Sequence, residues 1–337
     1  MKSIATLARE YLIAAIQQTA SDIHFTPFTD HTNIHFRIHG KRIFHASLPL
    51  PLYQKLLAYF KFISGMDIGE MKRPQNGTIK HRLQDQTFDL RLSTLPLTES
   101  ESLAIRVLSP MDQTPLDQLF LFPSQIKRIE GWVQHTSGMI LFTGPTGSGK
   151  TTTLYALLQA LMQRKSFQAI TLEDPIEKNL NHIIQVQVNE RAGVTYDAGL
   201  KAALRHDPDL LMVGEIRDQA TAQFAFRAAL SGHLVISTIH AKDAFGTIRR
   251  LKEMEIPQAD LEQTLIAIAS QQLIPLNTSG LLPKRAAILE LLDGPLLQQA
   301  AKDHPPYNHT RFHSFSDLRR KAYALGFIST DEVLHTS

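Results

Sequence analysis

There is no cysteine anywhere in these 337 residues. That excludes disulfide scaffolding and every zinc or iron–sulfur site built on thiolates. Charge of one sign is also scarce: 35 basic residues stand against 32 acidic ones, a net +3. So small a surplus is not the basic field that a nucleic-acid binder carries. No apolar run approaches 18 residues, so no segment is expected to span a bilayer. The N-terminal residues Met1–Ile4 are followed by Thr6, Arg9 and Glu10 and not by an apolar leader, which predicts a cytoplasmic chain. Internal repeats and low-complexity tracts are missing too. What is present is a 43% hydrophobic composition, enough to bury cores in about two domains at ~150 residues each.

The first third mixes periods. Ile4, Leu7, Ala8, Tyr11, Leu12, Ala15 and Ile16 form one helical stripe. Ile34, Phe36 and Ile38 then alternate with His35, Arg37 and His39, as in a half-buried strand. A second helix is expected from Pro51 through Ile63, and strands over Thr78–Leu83, Thr87–Leu92 and Ser102–Leu108, with Asn76-Gly77 as a turn before the first. Ser109-Pro110 and Pro115 break the pattern. The boundary therefore falls between a 1–110 α+β domain and a 111–337 domain.

In the second part short apolar strands (Met139–Phe142, Ala169–Leu172, Leu210–Val213, Leu234–Ser237) alternate with helical stretches. Such strands are buried on both faces, which predicts an α/β domain with a largely parallel sheet. Helix-like pieces are expected around Leu289-Glu290-Leu291 and over Phe315–Leu325.

Gly144-Pro145-Thr146-Gly147-Ser148-Gly149-Lys150-Thr151 fits the Walker A pattern, and it lies between an expected strand and a helix opening at Thr152. Glycines let backbone N–H groups converge on phosphate oxygens at a helix N-terminus. Lys150 supplies a point charge, and the Thr151 hydroxyl can hold Mg²⁺. This predicts nucleoside triphosphate binding. Two acidic clusters end apolar strands, Glu173-Asp174 with Glu177, and Glu215 with Asp218. Strand ends are where ligands sit in open α/β sheets, though each cluster also reads as ordinary solvated acids. Glu215 is the candidate for activating water.

The ordered motifs resemble those of the secretion-motor ATPases of type II secretion, type IV pili and competence pseudopili. Ala20–His24 resembles the start of the family's N-terminal domain, Arg73–Gly77 its central turn, Thr171–Glu177 its Asp box, Leu204–Asp218 its Walker B box and Ser231–Ala241 its His box. The resemblance implies a RecA-like ATPase domain, a homo-hexameric ring, ATP and Mg²⁺ turnover, and a polytopic inner-membrane platform protein as partner. The chain would then sit peripherally at the inner face of the membrane. By residue, it implies nucleotide binding at Gly144–Thr151 and Thr152, hydrolysis through Glu215, Glu173 lining the site, and His233 and His240 close to it. Each histidine reads equally well as a structural group beside an apolar strand.

The family's tetracysteine zinc insert is impossible here, so no zinc is expected. No extra docking domain is expected ahead of Ser21–His24, and Gln272 stands where an arginine is common. The His240–Ala244 and Arg249–Leu251 segments point to the assembly branch, and closest to the short competence motors. Motors of type II secretion, pilus assembly or retraction are alternatives, and an ATP-binding scaffold is one of another class.

Two arginines in the first domain are further candidates. Arg91 and Arg106 lie opposite apolar faces of their strands, and the resemblance implies that they approach nucleotide. An Asp89–Arg91 pair with a solvated Arg106 is the plainer reading. His31, His35, His39 and His45 are spaced around Arg37, which repels a cation, so they predict no metal site. Arg249, Arg250 and Lys252 lack aromatic neighbours and read as a solvated face or ring interface, so no direct nucleic-acid binding is expected.

Overall fold

The computed structural model describes residues 3–38, 40–83, 86–98, 100–108, 115–164, 167–277 and 285–334. The chain divides into two compact units, Met1–Asp112 and Gln113–Ser337. His39 and the Ser109-Pro110 boundary lie outside the described residues.

The first unit runs α1 (Ile4–Gln17), β1 (Asp22–Pro27), β2 (His31–Ile38), β3 (Lys41–Pro49), α2 (Leu50–Ile63), β4 (Gln75–Leu83), β5 (Gln86–Pro96) and β6 (Glu101–Leu108). Its sheet has the order β3-β2-β1-β6-β5-β4, antiparallel throughout. Ser3 caps α1 by accepting from the Thr6 N–H, and the helix buries Ala8, Tyr11, Leu12 and Ala15. These meet Tyr53, Leu56 and Phe60 of α2 and the inward residues Ile23, Phe25, Ile34, Phe36, Leu90 and Ile105 in one core. The Asn76-Gly77 pair is not a turn: it lies inside β4, opposite Ser93 and Leu92. Glycine is needed there because a Cβ would stand 2.6 Å from the Ser64 carbonyl oxygen, at the end of α2. A buried ion pair joins the same end of α2 to β6, with Lys61 Nζ 2.5 Å from Glu101 Oε2.

The second unit opens with α3 (Leu116–Leu119) and α4 (Pro123–Trp132), then alternates: β7 (Gly138–Thr143), α5 (Lys150–Arg164), β8 (Ala169–Glu173), β9 (Ile184–Gln187), α6 (Tyr196–Leu204), β10 (Leu210–Ile216), α7 (Gln219–Leu230), β11 (Leu234–Ile239). It continues through α8 (Ala244–Glu253), α9 (Gln258–Thr264), β12 (Leu265–Pro275), β13 (Arg285–Asp293), α10 (Gly294–Ala301), α11 (Phe315–Ala324) and α12 (Thr330–Leu334). The sheet order is β13-β12-β7-β11-β10-β8-β9, parallel except for β13. Strands β7, β8 and β11 are buried at every position, which explains their unbroken apolar runs.

Leu289-Glu290-Leu291 belongs to β13 and not to a helix, a correction to the sequence pattern. The glutamate is buried between two helix starts, so the segment carries no solvent face to show strand alternation. As an edge strand β13 is covered. The buried Gln125 amide donates to the Leu289 carbonyl at 2.6 Å and accepts from the Leu289 N–H at 3.2 Å. Arg128 grips Asp293 through both oxygens, and Trp132 Nε1 donates to the same carboxylate at 2.8 Å.

Candidate nucleotide site

In the second unit the chain leaves β7 toward β8 on one side and leaves β11 toward β12 on the other. Connections that part in this way open a crevice at the carboxyl ends of the strands between them. The glycine-rich loop, 144–149, fills that position between β7 and α5. Gly144 and Gly149 hold φ of +136° and +89°, and a Cβ on either would run into Gln271 of β12, at 2.5 Å and 2.8 Å. The loop is therefore closed down on a neighbouring strand, and glycine is the only residue with room.

Lys150 is buried at the start of α5, and its Nζ donates to the Gly144 and Pro145 carbonyls at 2.8 Å and 3.0 Å. Burial pulls its pKa down, and the Glu215 carboxylate pushes back. Ser148 Oγ, also buried, has no hydrogen-bond partner among the described residues. A buried hydroxyl without a protein partner, in the same loop segment as a buried ammonium, fits phosphate oxygens, which would supply that partner. A cavity of about 760 Å³ opens beside Pro145–Ser148, with Leu273, Phe315, Arg285 and Arg319 on its walls.

Glu215 owes its position to a bulge. Val213 pairs with Ser237 but Ile216 pairs with Ile239, so β10 carries one residue more than β11 across this stretch. The freed carbonyls are taken by side chains: Ser237 Oγ donates to Val213 O and Thr238 Oγ1 to Gly214 O, both at 2.7 Å. The bulge leaves Glu215 between two partners. Arg217 Nε donates to its Oε2 at 2.8 Å, and His240 Nε2 lies 3.0 Å from its Oε1. Arg217 also reaches Asp174 Oδ2 at 3.3 Å, so the ends of β8, β10 and β11 share one polar chain. Its guanidinium is held above its ordinary pKa by the Glu215 hydrogen bond.

Two expectations are corrected. The Glu173 carboxylate does not open onto the crevice. It is buried and turned inward, accepting from Tyr155 Oη, from Thr171 Oγ1 at 2.6 Å and from Gln185 Nε2 at 3.1 Å. Asp174 takes the exposed place beside Arg217. His233 precedes β11, so its carbonyl meets the Gly138 N–H at the opposite end of the sheet from the loop. The six residues of β11 separate it from His240 by ~20 Å at about 3.3 Å per residue.

Thr151 and Thr152 lie half-buried in the first turn of α5. No group of three His, Cys, Asp or Glu side chains suited to a metal occurs among the described residues. Thr151 at the start of α5 carries a hydroxyl of the type that a hard cation takes together with phosphates and water. In the first unit Arg91 and Arg106 stand opposite each other across β5 and β6. Arg106 Nε donates to Asp22 Oδ1 at 3.0 Å, so Arg106 is not simply solvated.

Gln271 is the site residue that sequence patterning missed as a contributor. Its one signal is a run of polar residues, Ser270-Gln271-Gln272, inside an apolar strand.

Comparison with known proteins is consistent with this geometry. The model of a family described as Type II/IV secretion system protein matches residues 1–293. Competence protein ComGA of Bacillus subtilis (strain 168) is 42% identical, over 98% of this chain and 97% of its own. Type II secretion system protein E of Klebsiella pneumoniae is 40% identical over 80% of this chain and 54% of its own. Among solved structures, the pilus retraction motor PilT with bound ADP covers 97% of this chain and 96% of its own, with a TM-score of 0.76 and 28% identity.

Proposed function

Because this chain belongs to the Type II/IV secretion system protein family, we propose that it is the ATP-hydrolysing motor that assembles a competence pseudopilus for DNA uptake. The observation that carries the choice of machine is the near end-to-end similarity to competence protein ComGA, where the secretion relative matches over only part of its own length. For the chemistry it is the convergence of Lys150, the orphan Ser148 hydroxyl and the Glu215–His240 pair around one loop.

The reading assigns each residue a task. Residues 144–152 receive the phosphates, with loop N–H groups and the Ser148 hydroxyl as donors. Lys150 exchanges the loop carbonyls for phosphate oxygens. Thr151 would help to hold Mg²⁺, which when bound neutralises charge on the phosphates. Glu215 orients the attacking water and takes its proton, held in place by Arg217 and His240. Glu173 acts indirectly by fixing Tyr155 of α5. Arg91 and Arg106 supply guanidinium charge during turnover.

On this reading residues 111–337 form a RecA-like P-loop domain and residues 1–110 its α+β companion. The working form is a homo-hexamer held peripherally on the cytoplasmic side by a polytopic platform protein. No helix among the described residues is long and apolar enough to cross a membrane. Deleting the gene and scoring DNA uptake beside protein secretion and surface motility tests the assignment. Lost uptake with intact secretion is the expected result. Lost secretion with intact uptake would reject the machine, and full uptake with a Lys150→Ala copy would leave a scaffold.

A further inference from the structure

The phosphate loop is shaped by a residue that comes more than a hundred positions later. Gln271 is fully buried in β12, the strand beside β7. Its Nε2 donates to the Ser148 carbonyl at 2.8 Å, and its Oε1 accepts from Thr153 Oγ1 at 3.0 Å. One amide thus ties the last turn of the loop to the first turn of α5. The backbone carbonyl of Gln271 occupies the place where a side chain on Gly144 would be, and its Nε2 the place of one on Gly149. Every polar atom of this side chain is committed inside the protein, and none faces the cavity beside the loop.

We propose that Gln271 is a positioning residue for nucleotide: its amide holds the phosphate loop in the binding conformation before the ligand arrives. This rests on the reading of the loop as a nucleotide site. The physical ground is preorganisation. A glycine-rich loop free to relax must be ordered at the expense of binding, and a donor and acceptor fixed on a strand remove that cost. The chemistry of the amide is specific, because the Ser148 carbonyl requires a donor and the Thr153 hydroxyl supplies a proton to an acceptor. A carboxylate at this position can do only the second. A protonated carboxyl can do both.

That difference provides the test. Binding of a fluorescent ADP analogue with Mg²⁺ is measured for the full chain, Gln271→Met and Gln271→Glu at pH 8 and pH 5.5, beside thermal melts and a Lys150→Ala control. Gln271→Met should bind roughly tenfold to a hundredfold more weakly than the parent at both pH values, as the loss of a buried hydrogen-bonded pair implies. Gln271→Glu should be as weak at pH 8 and recover toward the parent at pH 5.5. Its buried carboxyl, facing a carbonyl, will hold its proton well above the ordinary range. The comparison is made as a ratio to the parent at each pH, which cancels titration of the ligand phosphates.

Parental affinity in both substitutions, or a Gln271→Glu ratio that does not change with pH, would overturn the proposal. If Gln271→Met fails to fold, the pH pair of Gln271→Glu decides alone. A Gln271→Glu chain that melts rather than loses ligand on raising pH makes Gln271 a folding residue and also overturns it. A parent that binds no more nucleotide than Lys150→Ala would instead reject the reading of the site itself.

Discussion

His240 Nε2 and Glu215 Oε1 lie 3.0 Å apart, each at the carboxyl end of one of two neighbouring parallel strands. The other oxygen of Glu215 is held by Arg217, so the carboxylate has a fixed plane before any substrate is present. Replacing Glu215 by Gln should keep ATP binding, which depends on the loop and Lys150. It should lower turnover by roughly 10²–10⁴-fold, the range for losing a positioned base. Steady-state hydrolysis beside nucleotide affinity checks this. Lys150→Ala should show the reverse emphasis, with affinity itself reduced.

Arg91 and Arg106 offer a second kinetic prediction. Each changed to Ala should leave nucleotide affinity within about twofold, while turnover falls at least about tenfold, since guanidinium charge counts most as phosphoryl transfer proceeds. Equal turnover in both variants and the parent would remove them from the mechanism.

Stability should depend on pH through Glu290. Burial pushes this carboxyl up to about 7, although the Phe315 and Ala244 N–H groups pull it down. Between an unfolded value of about 4.3 and about 7 the folded chain keeps a proton that the unfolded chain has released. Stability from this group is therefore highest below that window and falls as pH rises through it, by at most about 1.4 kcal/mol per pH unit. Glu290→Gln should flatten denaturation midpoints measured from pH 5 to pH 7.5. A variant as steep as the parent would assign the dependence elsewhere.

Gly77→Ala should destabilise the first unit by about 1–3 kcal/mol, because the added carbon meets backbone at Ser64 and not a yielding side chain. A melting temperature equal to the parent's would contradict the close approach.

The Lys61–Glu101 pair makes a prediction of another kind, since both side chains are almost wholly buried. Lys61→Met alone should cost about 3–5 kcal/mol by stranding the carboxylate, whereas Lys61→Met with Glu101→Leu should recover most of it. Urea denaturation of the two variants distinguishes a stranded charge from lost packing.

What could be read from the sequence was what is local. The glycine-rich loop is contiguous, and its strand and helix neighbours carry their own periodicity, so the strand–loop–helix order around residues 144–149 can be read without a structure. Glu215 was legible as an acid ending an apolar strand, but the bulge that aims it depends on Ser237 and Thr238 of the next strand. His233 and His240 look like one motif, although the strand expected at Leu234–Ser237 already lies between them and places them at its opposite ends. Glu290 between leucines suggested a helix, since nothing local reveals two helix starts converging on a buried carboxylate. Gln271 was hidden for the same reason: its partners are Ser148 and Thr153, across 123 and 118 positions.

The strand order has a consequence for biosynthesis. β7 is flanked by β11 and β12, which leave the ribosome about ninety and more than a hundred residues after it. β7 presents two open edges until β11 arrives and one until β12 does, the condition that invites wrong pairing and engagement by chaperones. A nascent chain that already contains the whole glycine-rich loop would still lack the amide that shapes it. On that proposal tight capture of nucleotide would wait for β12, and a chain terminated before β12 would bind nucleotide more weakly than one that includes it.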